Sequence, residues 1–419
     1  MALVRNQAII PQEIAVDTDN RASSTPADEP IDGVDFETLK SDRLRRLQSV
    51  MRQQDVPACL FFHPANIRYA TGTAMMDVHT AGATARYCLV PSSGEPILFE
   101  WDAAIGQSKR LVKDVRPALW WQYQGRRGDL LVAQFASEIK DVLKGWGVSE
   151  RDPVGLDRAD SLAVFALQNA GVTLTSASKV TDRAREVKTP EEVALMRING
   201  KIGCEMLDEF EGAIQPGIRE FELLAVLSDA LLRRRGVVVF TRLVSSGQNT
   251  NPWGAEASDK IVETGDLVAL DTDANGYEGY VIDVSRTFLC GNEPTAEQKE
   301  AYRVAYDHIM AMREAVRPGL SYAGFANAVP PLPERYLAQS YGCMVHGAGL
   351  QNEGPVLYNP GQGDNPEDEH LQENMVMCLE VYVGQVGGAC GVKLEDQVLV
   401  TESGAEVLVD YPYDALLLG

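Results

Sequence analysis

Long apolar runs, basic residues, histidines and paired cysteines are all scarce in this chain. Nowhere do 18 apolar residues run together, so no membrane-spanning helix is expected. Lys and Arg total 38 against 60 for Asp and Glu, a net charge of −22, and such a surface repels phosphate backbones and anionic lipid headgroups. Nucleic acid and membrane surfaces are therefore not expected as partners. The start, MALVRNQAIIPQEIAVD, has no charged n-region ahead of an unbroken apolar stretch, and the reading is a soluble protein without a signal peptide. The seven cysteines are odd in number and none is spaced as CxxC, which fits reduced thiols in a cytoplasm. Five histidines (63, 79, 308, 346 and 370) leave little material for a histidine-rich zinc site. No GxGxxG follows a predicted strand, so a dinucleotide site is not expected.

What is present is enough for large cores. Hydrophobic residues make up 45% and charged residues 23%, values of a folded globular chain. A length of 419 residues exceeds what one core usually serves, which predicts two domains. Residues 1–34, rich in Asp, Ser, Thr, Pro and Ala, read as an arm. From 35 to 180, helical stretches such as DFETLKSDRLRRLQSVMRQQ alternate with the apolar runs ACLFF, YCLV and PILFE, the pattern of an α/β domain. The second domain, 186–419, opens with Thr189-Pro190-Glu191-Glu192, a capping box with proline at the first helical position, and predicts a helix over 190–213. After Gly217, FELLAVLSDALLRRR places Leu224, Leu227 and Leu231 on one helix face. From there the chain is rich in predicted strands with Gly and Pro turns.

The chemistry concentrates in these strands. In DLVALDTDANGYEGYVIDVSRTF (266–288), Val268 to Asp273 reads as a strand, Asn275-Gly276 as a turn, and Gly279 to Phe288 as the returning strand. Positions two apart share a face, so Asp271 and Asp273 point together, as do Asp283 and Ser285. Three carboxylates there repel unless a cation sits among them. Glu380 in MVMCLEVYVG and Glu395 in GVKLEDQVLV likewise lie inside apolar strands, where a lone carboxylate is costly. His346, in YGCMVHGAGLQNEGP, is followed by Gly347 and Gly349, which leave room for a ligand. One histidine with five carboxylates is an oxygen-rich set suited to two divalent ions. Trp120, Trp121 and Tyr123 are read either as a surface for a cationic ligand or as core and interface.

The order Asp, Asp, His, Glu, Glu resembles the pita-bread metalloenzymes, which include methionine aminopeptidase, prolidase, aminopeptidase P and creatinase. This resemblance, over residues 40 to 405, implies an N-terminal creatinase-like α/β domain followed by a C-terminal pita-bread domain of mixed α/β (α+β) class. The usual spacing of eleven would put the first aspartate at Thr272, whereas this chain has Asp271 and Asp273. That departure resembles the iron-dependent lyases of dimethylsulfoniopropionate. The residues carrying it are Asn66 to Thr71, Thr241 to Leu243, Thr250 to Trp253, Asp271 to Asp273, Asp283 with Ser285 to Thr287, Tyr341 to Cys343, His346-Gly347, Gly349-Leu350 and Lys393 to Val398.

The resemblance implies a dinuclear site of Asp271, Asp273, Asp283, His346, Glu380 and Glu395, with iron as the metal; manganese, cobalt and zinc suit the same donors. It also implies a homodimer acting on a small molecule. The expected activity is a lyase reaction on a small carboxylate with a β-leaving group, releasing dimethylsulfide and acrylate. Two departures bear on it. Asn352 stands where those lyases carry an acidic residue proposed as base, which leaves Tyr341, a hydroxide on the metal or Asp396 for that task. The segment Met76 to Thr80 lacks the tryptophan found there in the lyases. The competing expectation is a metal hydrolase of a small C–N substrate or Xaa-Pro peptide, as in creatinase, ectoine hydrolase or prolidase. Against a peptidase, no histidine lies between His79 and His308, and Asn352-Glu353 takes the place of a second one. A binding module without catalysis would have no use for five clustered carboxylates.

Overall fold

A computed structural model describes residues 33–74 and 85–419. The expected arm falls almost wholly outside the described residues, as does the segment Met76 to Thr80 with His79.

The first part of the described chain follows its apolar runs. Helix α1 (Phe36–Gln53) is capped by the Asp35 carboxylate, which accepts from the amides of Glu37 and Thr38. Strands β1 (Ala58–Phe61), β2 (Tyr87–Pro91), β3 (Ile97–Glu100), β4 (Asp114–Pro117), β5 (Val154–Leu156) and β6 (Leu174–Ser176) form one sheet in the order β4-β3-β2-β1-β5-β6. It is parallel at β1–β5, β5–β6 and β3–β4, and antiparallel elsewhere. Against it lie α3 (Arg126–Gly145) and α4 (Ser161–Asn169), which follow α2 (Pro64–Thr71). Phe62, Tyr87, Phe99, Trp121 and Phe135 interlock as its aromatic core, with Tyr87 and Phe135 edge-to-face at 5.1 Å. Trp121 is thus a core residue whose indole N–H donates to Asp160, not a ligand platform; Trp120 and Tyr123 are more exposed.

Helix α5 (Ser178–Glu186) leads to α6 (Pro190–Ala213), whose capping box is formed as expected. In α7 (Glu220–Arg233) the buried stripe is Leu223, Leu227, Ala230 and Leu231, so Leu223 takes the central place expected of Leu224. Beyond α7 the strands β7 (Val238–Val239) and β8 (Val244–Ser246) precede a segmented hairpin. The expected strand through Asp273 ends at Asp271 as β9 (Leu267–Asp271), and a short β10 (Ala274–Asn275) follows. Its partner is divided likewise into β11 (Val281–Ile282) and β12 (Ser285–Leu289). The register is continuous through the break, from Asp271↔Ser285 to Ala274↔Ile282. At the break Thr272 Oγ1 donates to the Ile282 carbonyl and accepts from the Val284 amide, and Asp273 takes a φ of +33°. Two small sheets result, β12-β9-β8 and β11-β10-β7.

They face a five-stranded antiparallel sheet, β14-β13-β15-β16-β17, built from β13 (Cys343–Ala348), β14 (Asn352–Tyr358), β15 (Val376–Gly384), β16 (Gly391–Thr401) and β17 (Gly404–Val407). Strand alternation divides β15 and β16 between two environments. Met377, Leu379, Val381, Val383, Val392, Leu394, Val398 and Val400 share one core with the Tyr302, Ile309 and Met312 side of helix α8 (Ala296–Ala315). Cys378, Glu380, Lys393, Glu395 and Gln397 occupy the alternate positions and are buried. Carboxylates on strands buried on both sides are tolerated only when charge gathers around them. Among the described residues no helix is long and apolar enough to cross a membrane.

Candidate metal centre

Glu380 and Glu395 stand directly opposite each other across β15 and β16, and Asp271 stands opposite Ser285 across β9 and β12. Each glutamate turns one oxygen toward Lys393 and the other toward His346. Lys393 Nζ lies 2.9 Å from Glu380 Oε2, 3.2 Å from Glu395 Oε2, 3.3 Å from Asp271 Oδ2 and 3.0 Å from Ser285 Oγ. His346 Nε2 lies 3.5 Å from Asp283 Oδ2, 3.6 Å from Glu380 Oε1 and 3.5 Å from Glu395 Oε1. Asp271, Asp273 and Asp283 bring one carboxylate oxygen each within 4.8 Å of one another. All six sequence-derived candidates are therefore gathered in one place.

The donors fit divalent cations. Asp271 Oδ1, Asp283 Oδ2, Glu380 Oε1 and Glu395 Oε1 are buried without a hydrogen-bond partner, each at a desolvation cost that a cation would remove. Five carboxylates less the one Lys393 ammonium leave four negative charges when His346 is neutral, which is the charge of two divalent ions. Burial raises Asp271 to about 8, with Lys393 opposing and Glu395, Asp273 and Glu380 reinforcing. Burial also raises Asp283 and Glu380. Burial alone would depress His346, but the Glu395 carboxylate 3.5 Å away, with Glu380, lifts it to about 9. Glu395 goes the other way: burial opposes, yet Lys393, His346 and Ser285 hold it below the usual carboxylate range.

Those directions carry a prediction for metal uptake. Because burial raises Asp271 to about 8 and its carboxylate neighbours raise His346 to about 9, a bound cation must compete with protons there; binding should release protons at pH 7, and affinity should fall as pH drops below about 9. Titration calorimetry with manganese in buffers of different ionisation enthalpy measures this directly. Uptake without proton release would contradict it.

The three residues considered for proton transfer part company. Asn352 is at the cluster, its Nδ2 donating to Asp273 Oδ1 at 3.2 Å. Tyr341 precedes β13 with its ring 5.7 Å from Lys393 Nζ, and burial followed by the Glu380 charge pushes its phenol above the ordinary value. Asp396 does not belong to the site. Adjacent strand residues point oppositely, so with Glu395 inward Asp396 faces the α8 side. There it takes Arg286 at 3.0 Å, Arg313 at 3.4 Å and the Tyr413 hydroxyl at 2.6 Å. Asp396→Ala would leave the fully buried Arg286 without its counter-charge, and urea unfolding should show a loss of ~3–5 kcal/mol. A loss below about 1 kcal/mol would contradict this account of the pair.

The glycines beside His346 also serve the chain itself. A Cβ at Gly349 would come within 2.6 Å of the Glu353 carboxylate, and one at Gly347 would collide with the Gly354 carbonyl, so these glycines admit strand β14 rather than a ligand. Glu353 is held by Lys188 at 3.0 Å and Arg185 at 3.4 Å, away from any role as base. Sequence reasoning did not single out Lys393 or Cys378 as site residues. Both lie two positions before a candidate glutamate, and the alternation applied to the aspartates would have found them. Trp253 was also missed as a site residue: its ring lies 5.5 Å from Lys393 Nζ, as the Tyr341 ring lies 5.7 Å from it.

Residues 194–402 match metallopeptidase family M24, and residues 43–187 match the creatinase/prolidase N-terminal domain. The chain is 31% identical over 397 residues to dimethylsulfoniopropionate lyase DddP of Roseovarius nubinhibens, covering 92% of this chain and 89% of that protein. It is 25% identical to an Xaa-Pro dipeptidase of Pyrococcus furiosus, covering 88% and 97%. Among solved structures, a prolidase from Thermococcus sibiricus superposes with a TM-score of 0.73 at 22% identity, over 89% of this chain and 98% of that one.

Proposed function

Because the chain belongs to the M24 family of pita-bread metalloenzymes, with a creatinase-like α/β domain ahead of its catalytic domain, we propose that it is a metal-dependent C–S lyase. Its substrate would be a small carboxylate with a cationic β-leaving group, dimethylsulfoniopropionate being the compound to try, and its products dimethylsulfide and acrylate. The observation that carries this is the pair of rings, Trp253 and Tyr341, 5.5 and 5.7 Å from the Lys393 ammonium that the cluster's carboxylates hold. Aromatic faces attract a sulfonium as they attract an ammonium.

In this reading Asp271, Asp273, Asp283, His346, Glu380 and Glu395 hold two divalent ions, with iron the metal to test first. Bound there, the ions would supply Lewis-acid stabilisation of charge on the substrate carboxylate. Lys393 orients Asp271, Glu380 and Glu395 by direct contact. Tyr341 is the side chain left to handle the proton, since Asp396 is turned away. The α C–H bond breaks as its electron pair forms the C=C bond and the C–S pair leaves with sulfur; Tyr341 Oη could take the proton only if bound cations lowered the phenol that burial and Glu380 raise. The catalytic domain is taken as 186–419, the first domain as 35–180, and the protein as a cytoplasmic homodimer. Light scattering at micromolar concentration should return twice the monomer mass; a monomer would end the dimer proposal.

The deciding experiment is incubation of the iron- or manganese-loaded protein with dimethylsulfoniopropionate and analysis of the headspace. Dimethylsulfide above the metal-free control supports the lyase. Its absence, with hydrolysis of an Xaa-Pro dipeptide by the same sample, would replace that reading by a hydrolase, which the prolidase-like relatives favour.

A further inference from the structure

The alternation that aims Glu380 into the cluster aims Cys378 there too. Cys378 is fully buried, opposite His346 across β13 and β15 and opposite Gln397 across β15 and β16. Its Sγ, a ring nitrogen of His346 and one carboxylate oxygen each from Asp283 and Glu395 all lie within 4.8 Å of one another. Among the described residues the one polar partner of the sulfur is the Gln397 amide at 3.9 Å, a weak contact. Independently, Asp283 Oδ2 and Glu395 Oε1 in the same group are buried and unpartnered, which marks this spot as the place of a ligand.

We propose that Cys378 is a sulfur donor to the ion nearest His346, giving that position a mixed S, N and O set selective for iron, cobalt or zinc over manganese and magnesium. This rests on the metal-dependent reading above. Thiolate donors suit borderline and soft cations, whereas carboxylates alone suit magnesium and manganese. On binding, the S–H proton passes to solvent and a sulfur lone pair forms the metal–sulfur bond, with no change of oxidation state. The second position, among Asp271, Asp273 and Asp283, keeps oxygen donors only. The two positions would then differ in metal preference.

Cobalt(II) makes this visible. Loaded with two cobalt ions per chain, the wild-type protein should show a near-ultraviolet sulfur-to-cobalt charge-transfer band. Cys378→Ser and Cys378→Ala should lose that band while retaining cobalt. Cys343→Ser should keep it, although Cys343 also contacts Glu380, because its thiol is not in the group around His346. In competition, the preference for cobalt over manganese should fall roughly 10- to 100-fold in Cys378→Ser, a typical loss when a partner is removed from a metal site. Two bound cobalt ions without the band, or a band surviving in a folded Cys378→Ser protein, would overturn the proposal and leave the metal site standing. Failure to bind cobalt at all would overturn both.

Discussion

Asp283→Ala and Glu395→Ala should each leave the protein folded but without its metal, and turnover should fall by at least about three decades, or ~4 kcal/mol of barrier. Both carboxylates are buried, and each turns toward His346, at 3.5 Å, an oxygen that has no hydrogen-bond partner. Removing either withdraws a donor, and among the described residues His346 is the one basic side chain in contact with the Asp283 oxygen. Folding should survive because the packed apolar positions of β15 and β16 lie on the opposite face, against α8. Elemental analysis of metal-loaded protein and circular dichroism check the two halves of this expectation. Wild-type protein holding less than about one tenth of a metal per chain, after loading, would end the dinuclear reading.

Asn352→Asp should raise dimethylsulfide release by ~10² to 10⁴-fold, the usual worth of a positioned base. The substitution places a carboxylate at the cluster, since Asn352 Nδ2 reaches Asp273 Oδ1 at 3.2 Å and the residue is exposed; the like-charge contact with Asp273 that replaces this hydrogen bond must be offset by the bound cations. In a lyase that lacks the acid at 352, a carboxylate there would supply a proton acceptor at the cluster. In a hydrolase, the same carboxylate would crowd Asp273 with like charge and weaken substrate or metal binding. The two readings thus give opposite signs for one substitution. Headspace measurement decides between them, provided that metal content is determined on the same sample; no gain in a metal-replete variant would favour the hydrolase.

Much of this was legible in the chain. A capping box is local, needing only Thr189, Pro190 and Glu192 at fixed offsets, and so α6 lies where the sequence puts it. The five candidate carboxylates stood out because carboxylates inside apolar strands must be compensated, an argument that needs no coordinates, and His346 stood out by the glycines that follow it. Whether they would meet was a question of topology: β9, β12, β13, β15 and β16 come from widely separated stretches, and only sheet pairing sets Glu380 opposite Glu395 and His346 opposite Cys378. Tertiary structure likewise decided between neighbours of similar chemistry. Glu395 and Asp396 are adjacent acids in one strand, yet the pleat sends one to the cluster and the other to Arg286. The break at Thr272-Asp273 was hidden for a related reason: its hydroxyl satisfies two backbone groups of the facing strand, and that partner is known only once the strands have paired. Sequence alone thus picked out which residues would call for a cation, through the cost of burying charge. The fold determined which of them come together, because strand register, and not spacing along the chain, sets distances across a sheet.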